Sequence, residues 1–344
     1  MNVVYTKKLE ELEIVAMKVL YNSVSNTSVF QHVLFPYFLK NGSSYNYAML
    51  YSEDKKLQGY CIIIESYFQK LPFIKTARII HGPIAEAKET EVELLNSMCS
   101  YYKNKKYTSV FIQLRHLVGN HSEYILNELY KTNGFRYNAI FENQCTLFIN
   151  LHQSIDDIHS NFTSDLKKNI KRAINKHVEV SEMKTQNEIA EFALVYSRMC
   201  AHRNITLYSA HEIVGFCNFI LDENNGFLLK SCVQGKIVGG GIFINQGNKT
   251  VYTIGATDPE LKKTPLSHLI LFEAIKISQQ KGQKIFDMGG YNYFAKQGEQ
   301  ADAINQFKLN FTPNYVFYAK KINVVFRPII NKIASMALKI KNTY

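Results

Sequence analysis

The sequence predicts an α/β (α+β) chain made of two successive units of one kind, each a mixed sheet flanked by helices. Three observations carry that expectation. The order of strand-like and helix-like patterns in the first half recurs in the second. At 344 residues the chain is long for one core and comfortable for two domains of about 150 residues each. Apolar residues make up 46 %, with 22 Tyr, 22 Phe and no Trp, which supplies two cores and excludes a disordered chain.

In the first half, strand patterns at 45–52 and 57–66 flank a polar turn and form a hairpin. A third strand at 76–80 ends at His81, Gly82 and Pro83. Residues 89–103 are helical, because Val92, Leu94, Leu95 and Met98 fall on one face. A strand at 109–114 follows, then a helix at 121–132 stopped by Asn133 and Gly134, then a closing strand at 141–150. In the second half a basic helix at 163–177 leads into helices at 187–203 and 210–222. Strands at 226–234, 236–245 and 250–256 are joined by turns at Gln234-Gly235 and Gln246-Gly247. A helix at 265–281 takes Thr264 as N-cap and Pro265 as its first residue, and stops at Gly282. Strands at 284–288 and 315–320 complete the unit. The expected division is 1–152 and 153–320 for the two units and 321–344 for a basic amphipathic tail.

Lys plus Arg number 40 against 29 Asp plus Glu, a net charge of +11 that favours anionic partners: nucleotide phosphates, nucleic acid or an anionic membrane surface. The N-terminal residues carry no long apolar run, so no secretory signal is expected, and no window approaches ~18 consecutive apolar residues. Six cysteines show no CxxC pair and read as reduced packing residues of a cytoplasmic protein. Ten histidines show no metal-ligand spacing with cysteine or carboxylate, so no metal is expected. His211-Glu212 lacks the second histidine of a zincin helix, and no Gly-x-Ser-x-Gly elbow is present.

One stretch concentrates the chemistry. The strand at 284–288 runs into Gly289 and Gly290, where the missing Cβ lets backbone pass close to something else. Downstream, Lys308 stands among Phe307, Leu309 and Phe311. A lysine in that frame is either a surface residue with a buried stem or a cation aimed into a site. The glycine pair favours the site. Asp287 ends the strand, where a carboxylate either orients or deprotonates an amine or pairs with a nearby lysine.

Four segments resemble the FemABX family of non-ribosomal peptidyltransferases and their acetyltransferase-like relatives in envelope polysaccharide loci. They are His81-Gly82-Pro83-Ile84, the basic helix from Ser164 to Ala173, Phe286-Asp287-Met288-Gly289-Gly290, and Phe307-Lys308-Leu309-Asn310-Phe311. The resemblance spans nearly the whole chain and implies two tandem GNAT-like units. It departs at Phe311, followed by Thr312 where the family has glycine, and at Arg115 and His116, where many members have an acidic residue.

The resemblance implies an aminoacyl group moved from aminoacyl-tRNA, as co-substrate, to an amine on a peptidoglycan or other cell-envelope precursor, nucleotide- or lipid-linked. No further cofactor is implied. Acyl transfer builds negative charge on a carbonyl oxygen, and Lys308 would offset it, beside Phe307 and Asp287. The resemblance sets Lys40 against a sugar-nucleotide phosphate, and Arg203 stands where a phosphate-binding arginine fits; surface charge is the alternative for both. Lys262 and Lys263 at the helix start either grip a phosphate or form a solvated turn, and Gly289, Gly290 and Tyr291 complete the expected substrate side. An ordinary GNAT unit holds the acetyl-CoA pyrophosphate on a glycine-rich loop at a helix start; residues 257–267 contain no glycine, which argues against a standard CoA site. Lys168, Lys171 and Arg172 would contact tRNA phosphates. The tail would pack on the protein or lie on the inner face of an anionic membrane. A monomer is expected. Two rival readings stand beside this one. The first is an N-acyltransferase using acyl-CoA or an acyl-carrier thioester on an amino sugar. The second is a non-catalytic nucleic-acid or membrane-binding protein on the same fold.

Overall fold

The computed structural model describes residues 2–38, 44–68, 71–137, 145–205 and 208–333. Lys40, Lys339 and Lys341 lie outside the described residues. The chain opens with β1 (Asn2–Thr6), α1 (Glu11–Ser23) and α2 (Phe35–Phe38), then β2 (Ser44–Tyr51), β3 (Leu57–Phe68), β4 (Leu71–Ile80) and β5 (Ile84–Ala85). Next come α3 (Lys88–Asn104), β6 (Ser109–Gln113), α4 (Asn120–Asn133), β7 (Arg136–Tyr137) and β8 (Cys145–Asn150). They are followed by α5 (Ile155–Ser160), α6 (Ser164–Asn175), β9 (Glu179–Glu182), α7 (Gln186–Arg203) and α8 (Ala210–Asp222). The last elements are β10 (Gly226–Val233), β11 (Lys236–Gln246), β12 (Lys249–Thr257), α9 (Leu266–Gln280), β13 (Ile285–Tyr291), α10 (Gln300–Leu309), β14 (Tyr315–Phe317) and β15 (Ile322–Val325).

Helix starts follow local chemistry. The hydroxyls of Thr163, Thr185 and Ser209 each accept a backbone N–H from the first turn of α6, α7 and α8. Asn204, in the left-handed region at φ 53°, ends α7. The expected Thr264 cap of α9 is absent; the Thr264 hydroxyl accepts from Lys176 Nζ at 3.3 Å. Pro265 takes the cap position, and no side chain caps the first turn.

Each unit has one sheet. Among the described residues the first runs β1-β2-β3-β4-β6-β15-β7, with β5 on β3, and the second runs β14-β8-β13-β12-β11-β10-β9. Each contains one parallel pair, β4 with β6 and β12 with β13, inside an otherwise antiparallel sheet. The helix between the paired strands, α3 or α9, buries Leu94, Leu95 and Met98 in the first core and Leu269, Ile270 and Ala274 in the second.

The expected boundaries need correction. The strand expected to close the first unit is β8, which pairs with β13 in the second sheet from Asn150↔Ile285 to Cys145↔Tyr291. It goes there because Cys145, Leu147 and Ile149 complete the second core. The matching place in the first sheet belongs to β15, antiparallel to β6, which buries Ile322 and Val324 in the first core. The chain therefore divides at Cys145 and Phe317, with the segment from Phe317 onward in the first unit. The expected amphipathic tail begins as a strand, and helix starts only at residue 328.

Candidate functional site

The site lies in the second unit, where β12 and β13 part. The two strands pair from Lys249↔Ile285 to Val251↔Asp287 and no further. Each carries a bulge at that point. On β12 the pairing with β11 skips Thr253, and on β13 the pairing with β8 shifts between Asp287 and Gly290. A bulge bends its strand, so two bulges on adjacent strands open a gap.

Gly289 makes the second bulge. Its φ is +74°, and a Cβ there would stand 2.5 Å from the Tyr252 carbonyl oxygen. Asp287 holds the bend from behind: Oδ1 accepts the Thr146 hydroxyl and the Gly289 N–H at 2.9 Å, and Oδ2 lies 3.6 Å from Lys249 Nζ. Both oxygens are engaged and Asp287 is outside the cavity lining, so of the alternatives read from the sequence the structure shows the pairing with a nearby lysine, Lys249.

The gap is a cavity of about 680 Å³, lined by β12, by Gly289 and Gly290, by α10, and by the end of α7. Lys308 reaches its floor from the last turn of α10. Its Nζ donates to the Gly290 carbonyl at 2.6 Å, and the residue is buried. Burial lowers its pKa from the usual lysine range to about 8, with Asp287 partly opposing. Phe307 lines the same space and packs edge-on against His268, with ring centres 5.0 Å apart.

Tyr252 was not expected. Its hydroxyl lies over Gly255, where a Cβ would stand 1.8 Å from that oxygen. Burial raises its pKa to about 12, partly opposed by Arg203. In sequence Tyr252 reads as one more aromatic of a packed strand; the glycine three residues later is the signal that space is reserved. The expected Tyr291 does not line the cavity. Its ring packs edge-on against Tyr315, and the two hydroxyls are 3.3 Å apart.

A second cavity of about 360 Å³ shares Arg203, His202, Ser267 and Phe307 with the first. It adds Arg172 from α6, Lys262, and the uncapped first turn of α9 with Leu266 and His268. A helix N-terminus beside three such cations attracts anions. His268, half-buried and also not expected, has its pKa lowered by burial and then by Arg172. Lys263 faces away from both cavities and is exposed. Lys168 and Lys171 are exposed on α6, and Lys168 pairs with Asp165 at 3.8 Å, so of the three expected nucleic-acid contacts only Arg172 reaches a cavity.

Among solved structures, the chain is similar to FemX, with a TM-score of 0.80 at 13 % identity over 97 % of this chain and 99 % of that one. The fold is a tandem GNAT fold. Two further likenesses agree with it. One is the C-terminal domain of a putative lysylphosphatidylglycerol synthetase from Agrobacterium fabrum, with TM-score 0.61 and 11 % identity over 95 % and 96 %. The other is a tandem GNAT protein from the clavulanic acid pathway, with TM-score 0.53 and 7 % identity over 94 % and 97 %. No family profile and no curated protein matches the chain. In this tandem GNAT fold the Lys308 cavity occupies the second unit, and no helix among the described residues is long and apolar enough to cross a membrane.

Proposed function

We propose that the chain is an aminoacyl or acyl transferase of the FemX type, and that it moves an aminoacyl group from aminoacyl-tRNA to an amine on a cell-envelope precursor. The observation that carries this is Lys308: a buried ammonium fixed on a backbone carbonyl at the floor of a cavity between parting strands. The incoming amine attacks the ester carbonyl, and the oxygen of the tetrahedral intermediate becomes negative. A preset cation there lowers the barrier by about 3–4 kcal/mol. Collapse expels the ribose oxygen, which needs a proton. The Tyr252 hydroxyl, kept protonated by its raised pKa, lines the same cavity, donates that proton and takes back the one the attacking amine loses as the amide forms, so it ends protonated. Arg203, Arg172 and Lys262 hold phosphate in the adjoining cavity.

One observation favours a second reading. The uncapped start of α9 among these cations also suits the pyrophosphate of an acyl-CoA, whose acceptor would be an amino sugar. The test is intact-mass analysis of UDP-MurNAc-pentapeptide incubated with the protein and mixed aminoacyl-tRNA, with Lys308→Ala in parallel. A gain of one or more amino-acid residues, absent in the variant, is expected. No gain, together with acylation of an amino sugar from acyl-CoA, moves the assignment to the second reading. No transfer in either arm rejects both.

A further inference from the structure

The first unit brings together three side chains from three elements. Glu91 lies in the first turn of α3, His116 follows β6, and His121 lies in the first turn of α4. Glu91 is fully buried. One of its oxygens, Oε1, accepts Arg115 Nη2, and Arg115 is further fixed on the carbonyls of Ser25, Pro83 and Ala85. The other oxygen, Oε2, faces two imidazoles at once. His116 Nε2 is 2.7 Å away and His121 Nε2 is 3.6 Å away. The two rings stack with centres 4.0 Å apart, so both Nε2 atoms converge on one point.

A salt bridge explains only part of this. Arg115 already compensates the carboxylate at Oε1, and His116 is hydrogen-bonded to Oε2. His121 Nε2 is too far for a hydrogen bond, yet that atom is buried and has no hydrogen-bond partner among the described residues. We propose that Glu91, His116 and His121 bind a divalent ion of the zinc class. Tetrahedral zinc, with bonds of about 2.0–2.1 Å to nitrogen, sets its ligand atoms about 3.3 Å apart. The observed 2.7 and 3.6 Å bracket that spacing, and all three ligand atoms lie within 4.8 Å of one another. Two imidazoles and one carboxylate select zinc, cobalt or nickel over magnesium or calcium. Arg115 orients the carboxylate from outside. His116 and His121 also line a cavity of about 520 Å³, together with Ser25, Asn26, Glu86 and Asn120. An ion can reach the site because the His121 side chain is 42 % exposed.

The test is titration of tag-free, chelator-treated full-length protein with Co²⁺, followed by visible ligand-field absorption, then displacement by Zn²⁺. One equivalent per chain is expected. His121→Ala, a change at a partly exposed position, lowers the affinity at least about tenfold with its circular dichroism and unfolding midpoint unchanged. His152→Ala, in the second unit, binds as the wild type does. Absence of uptake at millimolar Co²⁺, or equal uptake by His121→Ala, overturns the proposal.

Discussion

The two parallel strand pairs make the most instructive comparison in the molecule. In the first unit β4 and β6 stay paired from Thr76↔Ser109 to Ile80↔Gln113, and β6 meets β15 without interruption. Gln113 Nε2 and His81 Nε2, 2.7 Å apart, fasten the far ends. In the second unit the pairing stops at Val251↔Asp287, both strands bulge, and Gly289, at φ +74° against the Tyr252 carbonyl, lines the opening. The strand order around the two pairs is the same. What separates a closed sheet from a cavity with a buried cation is one extra residue in each of two strands.

The largest effect on that contrast comes from the cation. Lys308→Ala should lose about 10²–10³-fold in turnover with the fold intact. Because burial brings Lys308 to about 8, the ammonium is lost above that pH, and wild-type turnover should fall about tenfold per unit there. Lys308→Arg should push that limb upward, since guanidinium stays charged. A wild-type profile that stays flat well past pH 8 contradicts the cationic role. Stability moves the other way. The folded value lies below the unfolded 10.5, so the unfolded chain binds the proton more tightly, and this group makes the fold more stable as pH rises from about 8 to 10.5. Equilibrium unfolding at several pH values, compared with Lys308→Met, isolates that contribution.

The next effect concerns the opening itself. Gly289→Ala places a Cβ 2.5 Å from the Tyr252 carbonyl at φ +74°. Urea unfolding should show a loss of about 2–3 kcal/mol, and a variant as stable as wild type would mean that the bulge is not held by this glycine. The smallest effect belongs to the closed pair. Gln113→Ala removes the bond to His81 and should cost about 1 kcal/mol while leaving the transfer reaction untouched. Loss of turnover in Gln113→Ala would show that the first pair also serves the reaction.

Much of this was legible in the sequence, and the exceptions have physical causes. The alternation of strands and helices and the placement of Lys308 follow from local pattern, because burial periodicity and an apolar frame are local properties. Sheet membership is not local. β8 and β15 carry ordinary strand patterns, and only the cores they complete decide which sheet each joins. The partners that engage Asp287, Lys249 and Thr146, are distant in sequence. Tyr252 was hidden because a tyrosine in a strand looks like packing until its hydroxyl is seen over Gly255. Glu91, His116 and His121 show no ligand spacing along the chain, since three separate elements bring them together.

The exchange of β8 and β15 also sets an order of assembly. As the chain leaves the ribosome, the second unit becomes complete once Val316 has emerged, because it is nearly continuous from Cys145. The first unit, although translated first, must wait with the flank of β6 uncovered until Ile322–Val325 arrives. The half made earliest is therefore the half finished last, and a ribosome that stalls near residue 316 releases a folded C-terminal half attached to an N-terminal half with an open sheet edge.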